Sequence, residues 1–146
     1  MFLRSLFNYL ELCRISNLPT VWVNTLAAGL LSGSPFHLNK FLFLLLSLSL
    51  MYCGGIVLND FCDAAADAGT RPRRPLPSGR ITPFRAGVLF TVSFVSALIL
   101  LFIAAGGGIA IPALILLLLI VVYDLFHAFS VWTVFFMAGC RFMIYV

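Results

Sequence analysis

The chain is 146 residues long, 62% hydrophobic and only 10% charged, with nine basic and five acidic residues. A soluble domain carries roughly 25% charged residues, so this composition excludes a water-solvated globule and turns the surplus apolar surface toward lipid. The net charge of +4 does not point to nucleic acid, because the basic residues flank apolar stretches, where they serve lipid headgroups and topology.

Four cysteines, Cys13, Cys53, Cys62 and Cys140, form no CxxC pair and have no histidine at metal-ligand spacing. A disulfide framework or zinc site is not expected, and the thiols read as small buried hydrophobes. No secretory signal is expected either. The first apolar stretch begins late, contains Pro19 and Asn24, and has no small-residue cleavage motif.

Residues 1–14 mix apolar groups with Arg4, Glu11 and Arg14 at helical spacing, which predicts an amphipathic helix lying at the membrane interface. A first span is expected over residues 15–33, short and with Asn24 near its middle. The second, 41–58, is free of charge and close to the ~20 residues that cross a bilayer. Residues 86–123 are uncharged and too long for one span. Gly106, Gly107, Gly108 and Pro112 divide them into two helices. Asp124 and His127 mark a polar connection, and a fifth span, 129–146, carries Arg141.

The expected fold is therefore an all-α, polytopic transmembrane helix bundle of about five spans, and a single domain or part of one. With the N-terminus cytoplasmic, Arg4, Arg14, Arg71, Arg73, Arg74, Arg80 and Arg85 fall inside and only Lys40 falls outside. That is a clear positive-inside bias.

Between the second and third spans lies a polar island, residues 59–80, NDFCDAAADAGTRPRRPLPSGR. Asp60, Asp63 and Asp67 are spaced i, i+3, i+7, so on a helix they share one face. Asn59 adds an amide oxygen beside them. Like charges on one face repel until a divalent cation neutralises them, and an all-oxygen donor set points to Mg²⁺. Arg71, Arg73, Arg74 and Arg80 then suit phosphate oxygens, with Pro72, Pro75 and Pro77 stiffening their loop. The ligand inferred is a diphosphate whose tail lies in the apolar bundle, that is, a polyisoprenyl diphosphate. The bland alternative, a cytoplasmic loop with topological arginines, explains the arginines but not the aspartate spacing.

The stretch NDFCDAAADAGTRPRRPLPSGRIT resembles the first aspartate-rich motif of the UbiA family of intramembrane prenyltransferases, NDxxDxxxD followed by RPxRPxPSGxI. RISNLPTVWVNTLAAG resembles that family's first span, and VYDLFHAFSVWTVFFMAGCRFMIYV the connection into the fifth. The resemblance implies a bundle of about nine spans around a cavity open to the membrane. A prenyl group passes there from its diphosphate to a small acceptor, by default aromatic, such as 4-hydroxybenzoate or a quinone precursor, with a chlorin or a glycerol phosphate as alternatives. Asn59, Asp60, Asp63 and Asp67 would be the magnesium-diphosphate ligands, with the three aspartates catalytic. Asn24 would line the cavity, and the arginines of 71–80 would steady the phosphates. Once the diphosphate is neutralised, the allylic C–O bond ionises and an electron-rich acceptor attacks the carbocation.

Two departures stand out. Tyr123 is present, but His127 stands roughly where many members have a lysine. It is a group able to donate to phosphate, to act on the acceptor, or simply to mark the boundary. The family's second aspartate-rich motif, between its sixth and seventh spans, has no counterpart before residue 146. The expectation is thus the N-terminal half of a prenyltransferase, with little or no catalysis alone. Its partners would be a polyprenyl diphosphate, an acceptor, the bilayer, and a C-terminal half or a second copy. Arg141 would face the chamber of the complete bundle. The alternative is a non-catalytic membrane protein that retains a diphosphate-binding half-site. A CDP-alcohol phosphotransferase is disfavoured because its DGxxAR start is missing.

Overall fold

The computed structural model describes residues 2–33, 35, 37–126 and 133–145. Among them are seven α-helices and no strand: α1 (Phe2–Leu12), α2 (Leu18–Leu31), α3 (Leu38–Cys62), α4 (Ala64–Thr70), α5 (Pro83–Ala105), α6 (Ala110–Phe126) and α7 (Thr133–Phe142). Short 3₁₀ turns, Ile15–Asn17 and Gly106–Ile109, lead into α2 and α6.

Local chemistry sets the boundaries. Pro19 sits in the first turn of α2, where its missing N–H is one of the orphans of a helix start. Thr82 caps α5, its side chain accepting from the Arg85 N–H at 3.4 Å, and Pro83 opens the helix. Gly106 ends α5 at φ 72°, a left-handed conformation that glycine takes at no steric cost.

Three of these helices, α3, α5 and α6 with its glycine lead-in, are long and apolar enough to cross a bilayer. Five spans were expected. α2 has 14 residues, about 21 Å at 1.5 Å per residue, short of a ~30 Å hydrocarbon core, and the expected fifth span, 129–146, lies partly outside the described residues. In α2 the shortfall arises because the chain turns at Arg14, at φ 45°, and runs through a 3₁₀ turn before the helix begins at Leu18. The expected helix–turn–helix division at the three glycines is present.

α3 packs most extensively on α5. Gly54 allows the approach: a Cβ there would lie 2.7 Å from the Phe94 ring. Around this contact Leu48, Met51, Leu58, Ala97, Leu101 and Leu116 form one core cluster. A second cluster ties α1 to the site: Leu12 and Cys13 meet Val57 of α3, Leu76 and Ile81 of the 71–82 loop, and Ala86 of α5. The outward residues of α5, among them Val88, Val92, Val95, Ile99 and Phe102, are exposed at helical spacing. In a membrane that stripe is solvated by lipid.

Candidate functional site

The NDxxDxxxD stretch is a helix–break–helix. α3 carries Asn59 and Asp60 in its last turn and stops at Cys62, Asp63 stands at the break, and Asp67 belongs to α4. The interruption is a single residue: the Asp63 N–H donates to the Asn59 carbonyl at 3.0 Å and the Asp67 N–H to the Asp63 carbonyl at 2.8 Å, and Asp60 and Asp67 both meet Arg74. Asp60 and Asp67 are only 4% and 6% exposed, and Asp63 is half-buried.

Two such carboxylates require nearby positive charge, and arginines supply it. Arg14 Nη2 donates to Asp60 Oδ1 at 2.6 Å, Arg74 Nη1 reaches the same oxygen at 3.3 Å, and Arg74 Nη1 also donates to Asp67 Oδ2. Arg71 stands 4.0 Å from Asp67 Oδ1. The loop that carries Arg74 is held by its own backbone. The Ser78 N–H donates to the Arg74 carbonyl at 3.0 Å, the Ile81 N–H to the Pro75 carbonyl at 3.1 Å, and Leu76 and Ile81 are buried. Gly79, at φ 71°, makes the turn.

Arg80 faces the other way. It makes a two-pronged bond to the Glu11 carboxylate, at 2.7 and 3.0 Å, and donates to Asn8 Oδ1 at 3.0 Å and to the Arg73 carbonyl at 2.5 Å. The Arg73 side chain is exposed. These bonds hold the Glu11 carboxyl below the usual carboxylate range.

Beside the carboxylates lies an open cavity of about 500 Å³ lined by α2 and its lead-in, α3, α6 and α7. Leu48, Met51, Leu116 and Ile120 give it apolar walls, and Asn24, Asn59, Tyr123 and Arg141 all reach it. Arg14 lines it as well and so connects it to Asp60. Asp60, Asp63, Asp67, Arg71, Arg73, Arg74 and Arg80 do not line it. His127 lies outside the described residues.

Two charged lining residues were not assigned to the site from sequence. Arg14 was read as part of an interfacial helix and as topological charge, although it heads the stretch that resembles the first span. Asp124 was read as a polar connection after the helix. It is in fact inside α6, 4% exposed and on the cavity wall.

The donors are of the right kind for Mg²⁺, since Asn59, Asp60, Asp63 and Asp67 offer only oxygen. Arg14 and Arg74 take the charge-balancing role here, and among the described residues no three His, Cys, Asp or Glu side chains are gathered as metal ligands. For a cation to be held by this set, Arg14 or Arg74 would have to leave Asp60 or Asp67.

Comparison with known proteins bears on the family and the fold. Digeranylgeranylglyceryl phosphate synthase of Methanopyrus kandleri is 35% identical over 75 residues, 51% of this chain and 27% of that protein. The synthase of the same name from Sulfolobus acidocaldarius is 36% identical, over 63% of this chain and 34% of that protein. 4-Hydroxybenzoate octaprenyltransferase of Vibrio vulnificus is 38% identical over 85 residues, 56% of this chain and 28% of that protein. The matched stretches thus span well under half of these relatives. A solved chain from work on digeranylgeranylglyceryl phosphate synthase in membranes superposes with a TM-score of 0.89 at 24% identity, over 97% of this chain and 51% of that one. This likeness confirms the all-helical membrane fold. A profile of the UbiA prenyltransferase family matches residues 17–146, and with that match over nearly its whole length the chain, an integral membrane protein, belongs to the UbiA prenyltransferase family.

Proposed function

We propose that this chain supplies the diphosphate-binding half of a membrane prenyltransferase site, which transfers a polyprenyl group from its diphosphate to a small acceptor. The observation that carries the reading is the meeting of Arg14 and Arg74 on Asp60 and Asp67 beside an apolar-walled cavity. Guanidinium groups so placed can turn to phosphate oxygens, which they bind in the same two-pronged manner as carboxylates. The isoprenoid tail lies along Leu48, Met51, Leu116 and Ile120, whose side chains exclude water. Asn24, Asn59, Tyr123 and Arg141 orient the polar end.

Magnesium, when bound by Asn59, Asp60, Asp63 and Asp67, neutralises diphosphate charge and so favours its departure. Arg71 and Arg74 steady the departing phosphates, which leave with the electron pair of the allylic C–O bond. The acceptor then attacks the allylic carbon and gives up a proton. A phenolic acceptor such as 4-hydroxybenzoate and a glyceryl phosphate acceptor both suit this chemistry, and the relatives' names divide between them. The arginine bias puts the motif on the cytoplasmic face.

The test is binding of labelled polyprenyl diphosphate to the purified chain in nanodiscs, with and without Mg²⁺. Binding that needs Mg²⁺ and is lost in Asp60→Asn/Asp67→Asn is the expected result. Binding that survives in the double variant sinks the assignment. Transfer is assayed with the two acceptors in competition, and binding without transfer assigns the binding role alone.

A further inference from the structure

α1 presents three different faces. Leu12 and Cys13 pack into the cluster with Val57, Ile81 and Ala86. Asn8 and Glu11 hold Arg80. The third face, Leu3, Leu6, Phe7 and Leu10, follows i, i+3, i+4, i+7 spacing and is 37–70% exposed. An apolar stripe of that length on a helix of 11 residues marks a surface that something covers.

Depth identifies what covers it. Cys13 and Leu12 pack beside Ala86, in the opening turns of the α5 span, whose lipid-facing stripe starts with Phe84 and Val88. α1 therefore sits where hydrocarbon gives way to headgroups. Arg71, Arg73 and Arg85 are exposed near this end and complement anionic headgroups. An amphipathic helix at that level buries its apolar side in the headgroup–acyl boundary.

We infer that α1 is a membrane-surface strut: the bilayer interface takes Leu3, Leu6, Phe7 and Leu10, and the Glu11–Arg80 clamp passes that seating to the 71–82 loop, holding Arg74 over Asp60 and Asp67. The clamp is well built for this. Arg80 reaches two residues of α1 with one guanidinium while bonding the Arg73 carbonyl, next to Arg74, and the Ser78 hydroxyl. The clamp adds to the buried packing of Leu12 and Cys13 on Leu76 and Ile81, so that α1 and the loop form one unit with the lipid beneath them.

The experiment reads no turnover and uses the whole chain in nanodiscs of phosphatidylcholine with phosphatidylglycerol. With p-benzoylphenylalanine at position 7, photolysis is expected to give a lipid adduct. Hydrogen exchange is then followed at the Ser78, Gly79 and Ile81 amides, each hydrogen-bonded within the loop. Leu6→Asp/Phe7→Asp is expected to speed their exchange about two- to fivefold, the span an exposed ion pair can transmit, with α3 and α5 unchanged. Arg80→Gln is expected to speed the same amides while the adduct at position 7 stays on lipid. Should the two aspartates unfold the chain, Glu11→Gln, which leaves the bonds of Arg80 to Ser78 and Arg73 in place, decides the coupling: faster loop exchange supports the strut and unaltered exchange overturns it. An adduct to a second copy of the chain overturns the lipid surface. Loop exchange unaltered by Arg80→Gln overturns the strut.

Discussion

Arg14 donates to Asp60 across 46 positions of sequence, at 2.6 Å, and in doing so ties the lead-in of α2 to the last turn of α3. Asp60 is almost fully buried while Arg14 opens onto the cavity. The bond is thus the junction between the carboxylate cluster and the space proposed for the isoprenoid.

Arg14 should matter for ligand more than any exposed arginine. A charge-assisted hydrogen bond contributes about 1.5–3 kcal/mol, so Arg14→Gln is expected to weaken polyprenyl diphosphate binding roughly ten- to hundredfold. Arg73→Gln, whose side chain points to solvent, should change it less than about twofold. Titration in nanodiscs at saturating Mg²⁺ separates the two. Equal losses in both variants would argue for a diffuse basic surface instead.

Arg74 holds two buried carboxylates, and its removal leaves one or both without full compensation. Arg74→Met is expected to destabilise the chain by about 3 kcal/mol, measured by denaturant unfolding in detergent. Adding Asp60→Asn and Asp67→Asn should recover much of that loss, because the uncompensated charge disappears. No recovery in the triple variant would mean that Arg74 acts through packing.

The approach of α3 to α5 depends on a missing methyl group. Gly54→Ala places a carbon 2.7 Å from the Phe94 ring and should cost about 1–3 kcal/mol, with Phe94→Leu restoring part of it. Gly69→Ala in α4, where nothing lies within 4 Å, serves as the neutral control. Similar unfolding curves for Gly54→Ala and wild type would count against this contact as the limiting one.

The Glu11–Arg80 pair fixes a pH dependence. A carboxylate held low in the folded chain contributes stability above its unfolded pKa of ~4.3, and loses it as pH falls through the lower folded value. With side chains 51% and 36% exposed, the contribution is about 0.2–1 kcal/mol, screened by salt. Glu11→Gln should therefore be less stable than wild type at neutral pH and equal to it in acid. A constant gap across that range would remove the ion pair from the explanation.

Much of this was legible in the residues. The apolar runs placed α3, α5 and α6, because hydrocarbon tolerates only long uncharged helices. Residues 59–80 announced themselves as polar chemistry at the edge of a span, and the three-glycine turn was plain. Three things were hidden, each a matter of tertiary placement. The break at Asp63 falls within a stretch whose spacing reads as continuous helix. Arg14 and Asp60 meet only after α1 and α2 fold back on α3. Asp124 reads as a boundary residue because its carboxylate looks incompatible with a span, yet α6 carries it into the cavity wall.

The brevity of α2 has a consequence for biogenesis. A 14-residue helix with Asn24 inside it partitions weakly into lipid on its own. The Ser49 hydroxyl that accepts from its Trp22 Nε1 at 3.0 Å belongs to α3, which leaves the ribosome later. α2 is therefore secured in the membrane only after its successor has been made. A ribosome stalled between the two helices would hold a segment that carbonate extracts, and one stalled beyond α3 would hold a segment that it does not.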